Sequence, residues 1–165
     1  MENKSSIAGQ IKAKYPGLSE NIKTQRQNRI WVKVPYCDFR DFLEFAAKEL
    51  KVDVFCMLTG LDDKDNYSFI YHMADLSGIM LNIETSIPKS EPLSIKTVTD
   101  MYPSAELQER EIQDLLGVKI EGLAPGRRYP LPDDWPEGEY PLRKGWTVDR
   151  LNKDAGETSQ GGQNA

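Results

Sequence analysis

Cysteine and histidine are scarce: the chain has Cys37 and Cys56, one histidine, His72, and 165 residues in all. Iron–sulfur clusters need thiolates in close sets, and structural zinc needs four N or S ligands at short spacing. The sequence offers neither, so no metal or redox cofactor is expected in this chain. Cys56 lies in an apolar stretch and reads as a small core residue. His72 lies inside a strand pattern and reads as structural. No phosphate-cradling loop, dinucleotide fingerprint or nucleophile elbow occurs; Gly117, Gly122 and Gly126 are spread out beyond a helical pattern instead of joining a strand to a helix. No apolar run is long enough to span a bilayer, and residues 1–10 are too polar for a secretory leader. Cationic excess is lacking too. Lys and Arg number 21 against 26 Asp and Glu, a net charge of −5, which argues against nucleic acid and against an anionic membrane surface as partners. Two cysteines suit a reducing cytoplasm.

What is present is a chain with 39% hydrophobic residues, enough for one core plus segments outside it. A helix is expected over residues 3–15, with Ile7, Ala8 and Ile11 on one side and a stop at Pro16. A strand over 29–35 aligns Ile30, Val32 and Val34. Asp38 reads as the N-cap of an amphipathic helix that aligns Phe39, Phe42, Leu43, Ala46 and Leu50. The run 52–59 reads as a buried strand. Residues 67–75 and 79–83 form a hairpin around Leu76-Ser77-Gly78. The phenylalanine face should pack on a sheet containing Ile30, Val32, Val34, Val54 and Phe69. The order predicts an α+β fold: a mixed or antiparallel sheet, helices on one face, and an extended Pro-rich C-terminal segment. We divide the chain into an α+β domain (1–120), an extended segment (121–146) and a polar tail (147–165) that is flexible in isolation.

Residues 94–117 read as helical, with Ser104 as N-cap and Gly117 at the C-terminal stop. At 100° per residue, Ala105, Ile112, Leu115 and Leu116 share one arc, and Leu107, Arg110, Glu111 and Asp114 share the opposite one. Arg110 and Asp114 are close enough to pair. Such an arc suits a solvated face as well as a contact. Segment 121–146 holds five of the ten prolines and cannot be regular helix or central strand. It also carries Arg127, Arg128, Tyr129, Trp135, Tyr140, Arg143 and Trp146, the residue types that dominate interfaces. It either folds back on its own domain or lies on a partner, and the partner is the favoured reading. Asp133-Asp134 reads as a turn cap before Trp135-Pro136.

Glu109-Arg110-Glu111, then Asp114, then Leu115-Leu116-Gly117-Val118, resembles the signature helix of the so-called 30 kDa subunit family of respiratory complex I. Pro141-Leu142-Arg143-Lys144 with Trp146 resembles that family's C-terminal signature, and the two occur in the family's order around Arg127-Arg128. The stretch from Leu131 to Lys144, with Tyr140 where respiratory members tend to carry histidine, is similar to the hydrogenase branch.

The resemblance implies a non-catalytic scaffold subunit of an Ech-type or related membrane-bound, energy-converting nickel–iron hydrogenase. The 30 kDa subunit of respiratory complex I (NADH:quinone oxidoreductase) is the alternative, and a stand-alone α+β binding module or small enzyme the competing class. The resemblance also implies a nickel–iron site and iron–sulfur clusters in neighbouring chains. Those partners are a hydrogenase-type large subunit, a small iron–sulfur subunit and integral membrane subunits, with this chain peripheral on the cytoplasmic face. Arg110, Glu111 and Asp114 would form a charged cluster at a contact between subunits. The stretch 126–146 would clamp the partners, with Trp135, Tyr140, Arg143 and Trp146 as anchors and Arg143 paired to a carboxylate or carbonyl of the large subunit.

Overall fold

A computed structural model describes residues 6–90 and 92–151; the start of the expected first helix and the tail from residue 152 lie outside them. Helix α1 (Ser6–Lys14) buries Ile7 and Ile11, one turn apart, and Pro16 ends it by opening a 3-10 turn over Pro16–Asn21. Strands β1 (Ile22–Arg26) and β2 (Arg29–Lys33) form a hairpin. Helix α2 (Tyr36–Lys48) leads to a meander of β3 (Val54–Asp62), β4 (Asn66–Ala74) and β5 (Met80–Pro88). The five strands stand in the order β1-β2-β5-β4-β3; β2 and β5 run parallel and the other pairs antiparallel. The sheet is therefore mixed.

Side chains alternate along a strand, so register decides which residues share a face. The pairings put Val32, Ile83, Tyr71 and Leu58 in one row and Thr85, Phe69 and Gly60 in the next. Helix α2 covers this face, with the Phe39 ring 4.5 Å from that of Tyr71 and Phe42 fully buried against Tyr15. Helix α3 (Glu106–Leu116) covers it at the other end, where Gly60 leaves room for Ile112 and Leu116. The helices thus share one face, as the pattern predicts. On the opposite face His72 bridges two neighbours: Nδ1 lies 2.6 Å from Asn82 Oδ1 and Nε2 3.1 Å from the Thr59 hydroxyl. Asn82 Nδ2 donates to Ile30 O, so Asn82 Oδ1 is an acceptor and the histidine proton sits on Nδ1. Both ring nitrogens are committed to the sheet, a structural role.

Several expectations are corrected. The apolar run at 52–59 yields an edge strand: Val54, Cys56 and Met57 are exposed, so neither Val54 nor Cys56 belongs to the core. Composition shows that a strand is apolar but does not give its place in the sheet. Strand β1 went unforeseen because four of its five residues are polar. Asp38 is no cap; Pro35, at φ −54° and ψ 142°, already turns the chain into α2. Residues 94–117 are not all helix. Ser94–Lys96 forms β6, parallel to β7 (Lys119–Glu121), and Ser104 sits in a 3-10 turn ahead of α3 without capping it. Gly117 does stop α3, in the left-handed region at φ +69°.

Candidate functional site: helix α3 and the segment folded over it

Ala105, Glu109, Ile112 and Leu116 recur at spacings of three and four and form the core-facing line of α3; all four are buried. Glu109 was not foreseen as buried, although its spacing from Ala105 and Ile112 is the signal that finds it. Its carboxylate accepts from the backbone N–H of Val98 (2.7 Å) and the Thr97 hydroxyl (2.5 Å). Burial raises its pKa above the usual carboxylate range, against the pull of those two bonds.

The opposite arc is covered in part: Leu107 is exposed and Glu111 half-buried, whereas its other two members are buried. Arg110 and Asp114 are each buried to 8% exposure, because the Pro-rich segment folds back across them. The expected Arg110–Asp114 pair does not form. Side chains on a helix lean towards its N-terminus, and Arg110 reaches back to Glu106 (2.8 Å) while also donating to Ala124 O (2.7 Å). Gly126 lies directly on its guanidinium, where a β-carbon would come within 2.5 Å of Nη2. Asp114 instead meets Arg128, whose Nε is 3.4 Å away and whose Nη1 donates to Trp135 O at 2.7 Å.

Arg143 caps the helix. Its Nε donates to Leu116 O at 2.7 Å, its guanidinium lies 4.3 Å from the centre of the Tyr140 ring, and the Leu142 N–H donates to Leu115 O. A cation here satisfies orphan carbonyls and opposes the helix dipole. The Lys144 N–H reaches the Asp62 carboxylate at 2.6 Å. Trp135 and Trp146 form a second cluster, ring centres 5.9 Å apart, both indoles donating to Glu139, one to its backbone oxygen and one to its side chain. Arg127 pairs with Asp133 on the open surface, so Asp133 serves an ion pair. Glu111 stands apart, half-buried on the outer side of α3.

The structure therefore gathers Arg110, Asp114, Arg128, Tyr140 and Arg143 at one seam, places Trp135 and Trp146 beside it, and leaves Glu111 and Arg127 outside. Within the chain the segment packs on its own domain, and Arg143 donates to the carbonyl of Leu116. Proline-rich sequence cannot join a sheet, but it can lie across a helix when arginines supply the bonds. The fit at Gly117 is tight. A β-carbon there would sit 2.5 Å from the Tyr140 ring and 2.6 Å from Arg143 Nη2, at a positive φ. Gly117→Ala should cost about 1–3 kcal/mol in chemical denaturation; an unchanged midpoint would mean that Tyr140 and Arg143 do not seat there.

Comparison with known proteins agrees with this architecture. Residues 32–151 match the family described as respiratory-chain NADH dehydrogenase, 30 Kd subunit. The chain is 29% identical over 151 residues to the membrane-bound hydrogenase subunit beta of Pyrococcus furiosus, covering 87% of this chain and 86% of that one. It is 27% identical to one of the subunits of the F(420)H(2) dehydrogenase of Methanosarcina mazei, covering 84% and 89%. Among solved structures it superimposes on a chain of the membrane-bound sulfane sulfur reductase, an archaeal respiratory membrane complex, with a TM-score of 0.76, 28% identity, and 93% and 91% coverage.

Proposed function

Because the chain belongs to the family of the 30 Kd subunit of the respiratory-chain NADH dehydrogenase, we propose that it is a non-catalytic assembly subunit in the peripheral arm of a membrane-bound, energy-converting hydrogenase-type complex. The observation that carries this reading is the match with a membrane-bound hydrogenase subunit over 87% of this chain and 86% of that one. Its partners would be a hydrogenase-type large subunit, a small iron–sulfur subunit and integral membrane subunits, with the chain held on the cytoplasmic face. No helix among the described residues is long and apolar enough to cross a membrane, so other subunits would hold it there. The family description itself favours a second reading, the 30 kDa subunit of an NADH:quinone oxidoreductase.

In this reading the chain holds no redox group, and the nickel–iron site and clusters reside in its partners. The residue set supports that division: two exposed cysteines on different elements, and one histidine with both nitrogens engaged. Its contribution would be rigidity. Electron transfer needs fixed cofactor distances, and a domain with its C-terminal segment strapped to α3 presents one shaped surface, from which Glu111, Arg127 and the half-buried Trp135, Tyr140 and Trp146 are available to partners. Purification of the tagged chain from solubilised native membranes should recover a nickel-containing large subunit. Recovery with a flavin-bearing NADH-oxidising module would select the second reading, and recovery alone would end both. The isolated chain should carry no stoichiometric iron, nickel or flavin by metal analysis and visible absorption.

Arg110→Ala should lower the amount of chain in the purified complex about tenfold, since a lost charge-assisted bond at the seam costs roughly 1.5–3 kcal/mol. Unchanged assembly would remove the seam from the docking surface.

A further inference from the structure

Building on that reading of the chain as one subunit among several, we propose that the free edge of β3 and the outer face of α3 form a groove. It receives an extended, largely apolar segment bearing an arginine or lysine, donated by another subunit and paired to β3 as a further strand.

The first observation is the edge. Strand β3 hydrogen-bonds to β4 on one side only, and among the described residues no backbone bond reaches residues 54–61 from the other side. Edge strands are usually guarded by lysine, proline, bulges or shortness. This one is nine residues long and contains neither lysine nor proline; its one irregularity lies between Phe55 and Met57, and from Met57 to Asp62 the register is regular.

The second is the apolar surface beside it. Residues 57–60 form one wall of a groove of about 460 Å³, α3 forms the other through Leu107, Glu111 and Leu115, and Tyr129 and Leu142 from the folded-back segment complete it. Met57, Leu107, Tyr129 and Leu142 are 53%, 54%, 44% and 52% exposed. Single exposed apolar residues are ordinary, but four of the eight large ones among the described residues meet here. A groove between an edge strand and a helix has the geometry in which an added strand gains main-chain bonds on one side and side-chain pockets on the other.

The third is the charge. Two acceptors that line the groove have no partner among the described residues. Gln108 Oε1 is buried with no hydrogen bond, and Glu111 makes no ion pair among the described residues. The occupant must bring donors and a positive charge. A second copy of this chain pairing β3 to β3 would not, because residues Val54–Asp62 include no cation.

The test places a photocrosslinking amino acid at Met57 or Leu107 in the full chain within its native complex, with Leu76, on the far β4–β5 turn, as control. Hydrogen exchange of residues 54–61 is followed in the complex and in the isolated chain. Adducts from both groove positions to one stretch of one partner subunit, none from Leu76, and at least about tenfold slower exchange of edge amides in the complex support the proposal. Leu107→Asp should then cut complex-bound chain about tenfold with an unchanged melting temperature. A chain that co-purifies with the complex but gives no groove adducts overturns the groove and leaves subunit membership standing. Adducts without amide protection overturn the strand pairing, and adducts to a second copy overturn the choice of partner. Absence from any complex overturns the membership reading and the groove together.

Discussion

Replacing Phe42 by alanine should lower the unfolding free energy of the chain by about 3–5 kcal/mol. The ring is fully buried and sits between the sheet-facing line of α2 and the first helix, 5.3 Å from Tyr15 and 5.9 Å from Phe45. Its loss removes one of the two α2 rings that pack on Tyr15, the residue that follows α1. Domains of this size are stable by roughly 5–15 kcal/mol, so the variant should unfold at a much lower urea concentration. Leu107→Ala, at a site 54% exposed, should move the midpoint by no more than about 0.5 kcal/mol. A cost under about 1 kcal/mol for Phe42→Ala would mean that α2 does not seat as described.

Glu109→Leu should also destabilise the chain. It would strand the buried Val98 N–H, at about 1–3 kcal/mol, and take an acceptor from the part-buried Thr97 hydroxyl, which has Thr99 Oγ1 2.8 Å away as an alternative. Glu109→Gln should behave oppositely, since an amide accepts from Val98 and donates to Thr97 without carrying charge. The pH dependence separates the two effects. With its pKa raised by burial, Glu109 holds its proton longer in the folded than in the unfolded chain. The folded state therefore binds more protons as pH rises above about 4.5, the ordinary glutamate range, and stability falls across that window up to the raised pKa. Urea midpoints across pH should show this decline in the parent and a flatter profile in Glu109→Gln. Identical slopes would mean that Glu109 carries its charge without penalty.

The parts of the fold legible in the sequence are those set by periodicity within one element. Ile30, Val32 and Val34, and the face from Phe39 to Leu50, are all buried as the spacing of two or of three and four requires. What could not be read depended on neighbours. Val54 and Cys56 lie in an apolar run yet face solvent, because β3 has a partner on one side only. The polar strand β1 exists because β2 offers it an edge. At the site, Arg110, Asp114, Arg128 and Arg143 are recognisable as a group from their motifs, but the bonds they make follow from a backbone path that no spacing specifies. Arg110 reaching Ala124 and Arg143 reaching Leu116 span gaps of 14 and 27 residues. Membership of the family confirms the resemblance read from those motifs, whereas the use of the segment as a strap on its own helix was visible only in three dimensions.

The parallel pairing of β2 with β5 has a consequence for synthesis. Lys33 stands beside Glu84 in the register, so the second strand of the chain waits for the fifth. Until β5 is made, α1, the β1–β2 hairpin and α2 have no sheet centre to cover, and their apolar faces stay open. Loop closure over such a span sets in late and slows folding. A nascent chain stalled before residue 80 would therefore expose Phe39, Phe42 and Val32 and be a natural client for chaperones, whereas one stalled after residue 88 already holds all five strands.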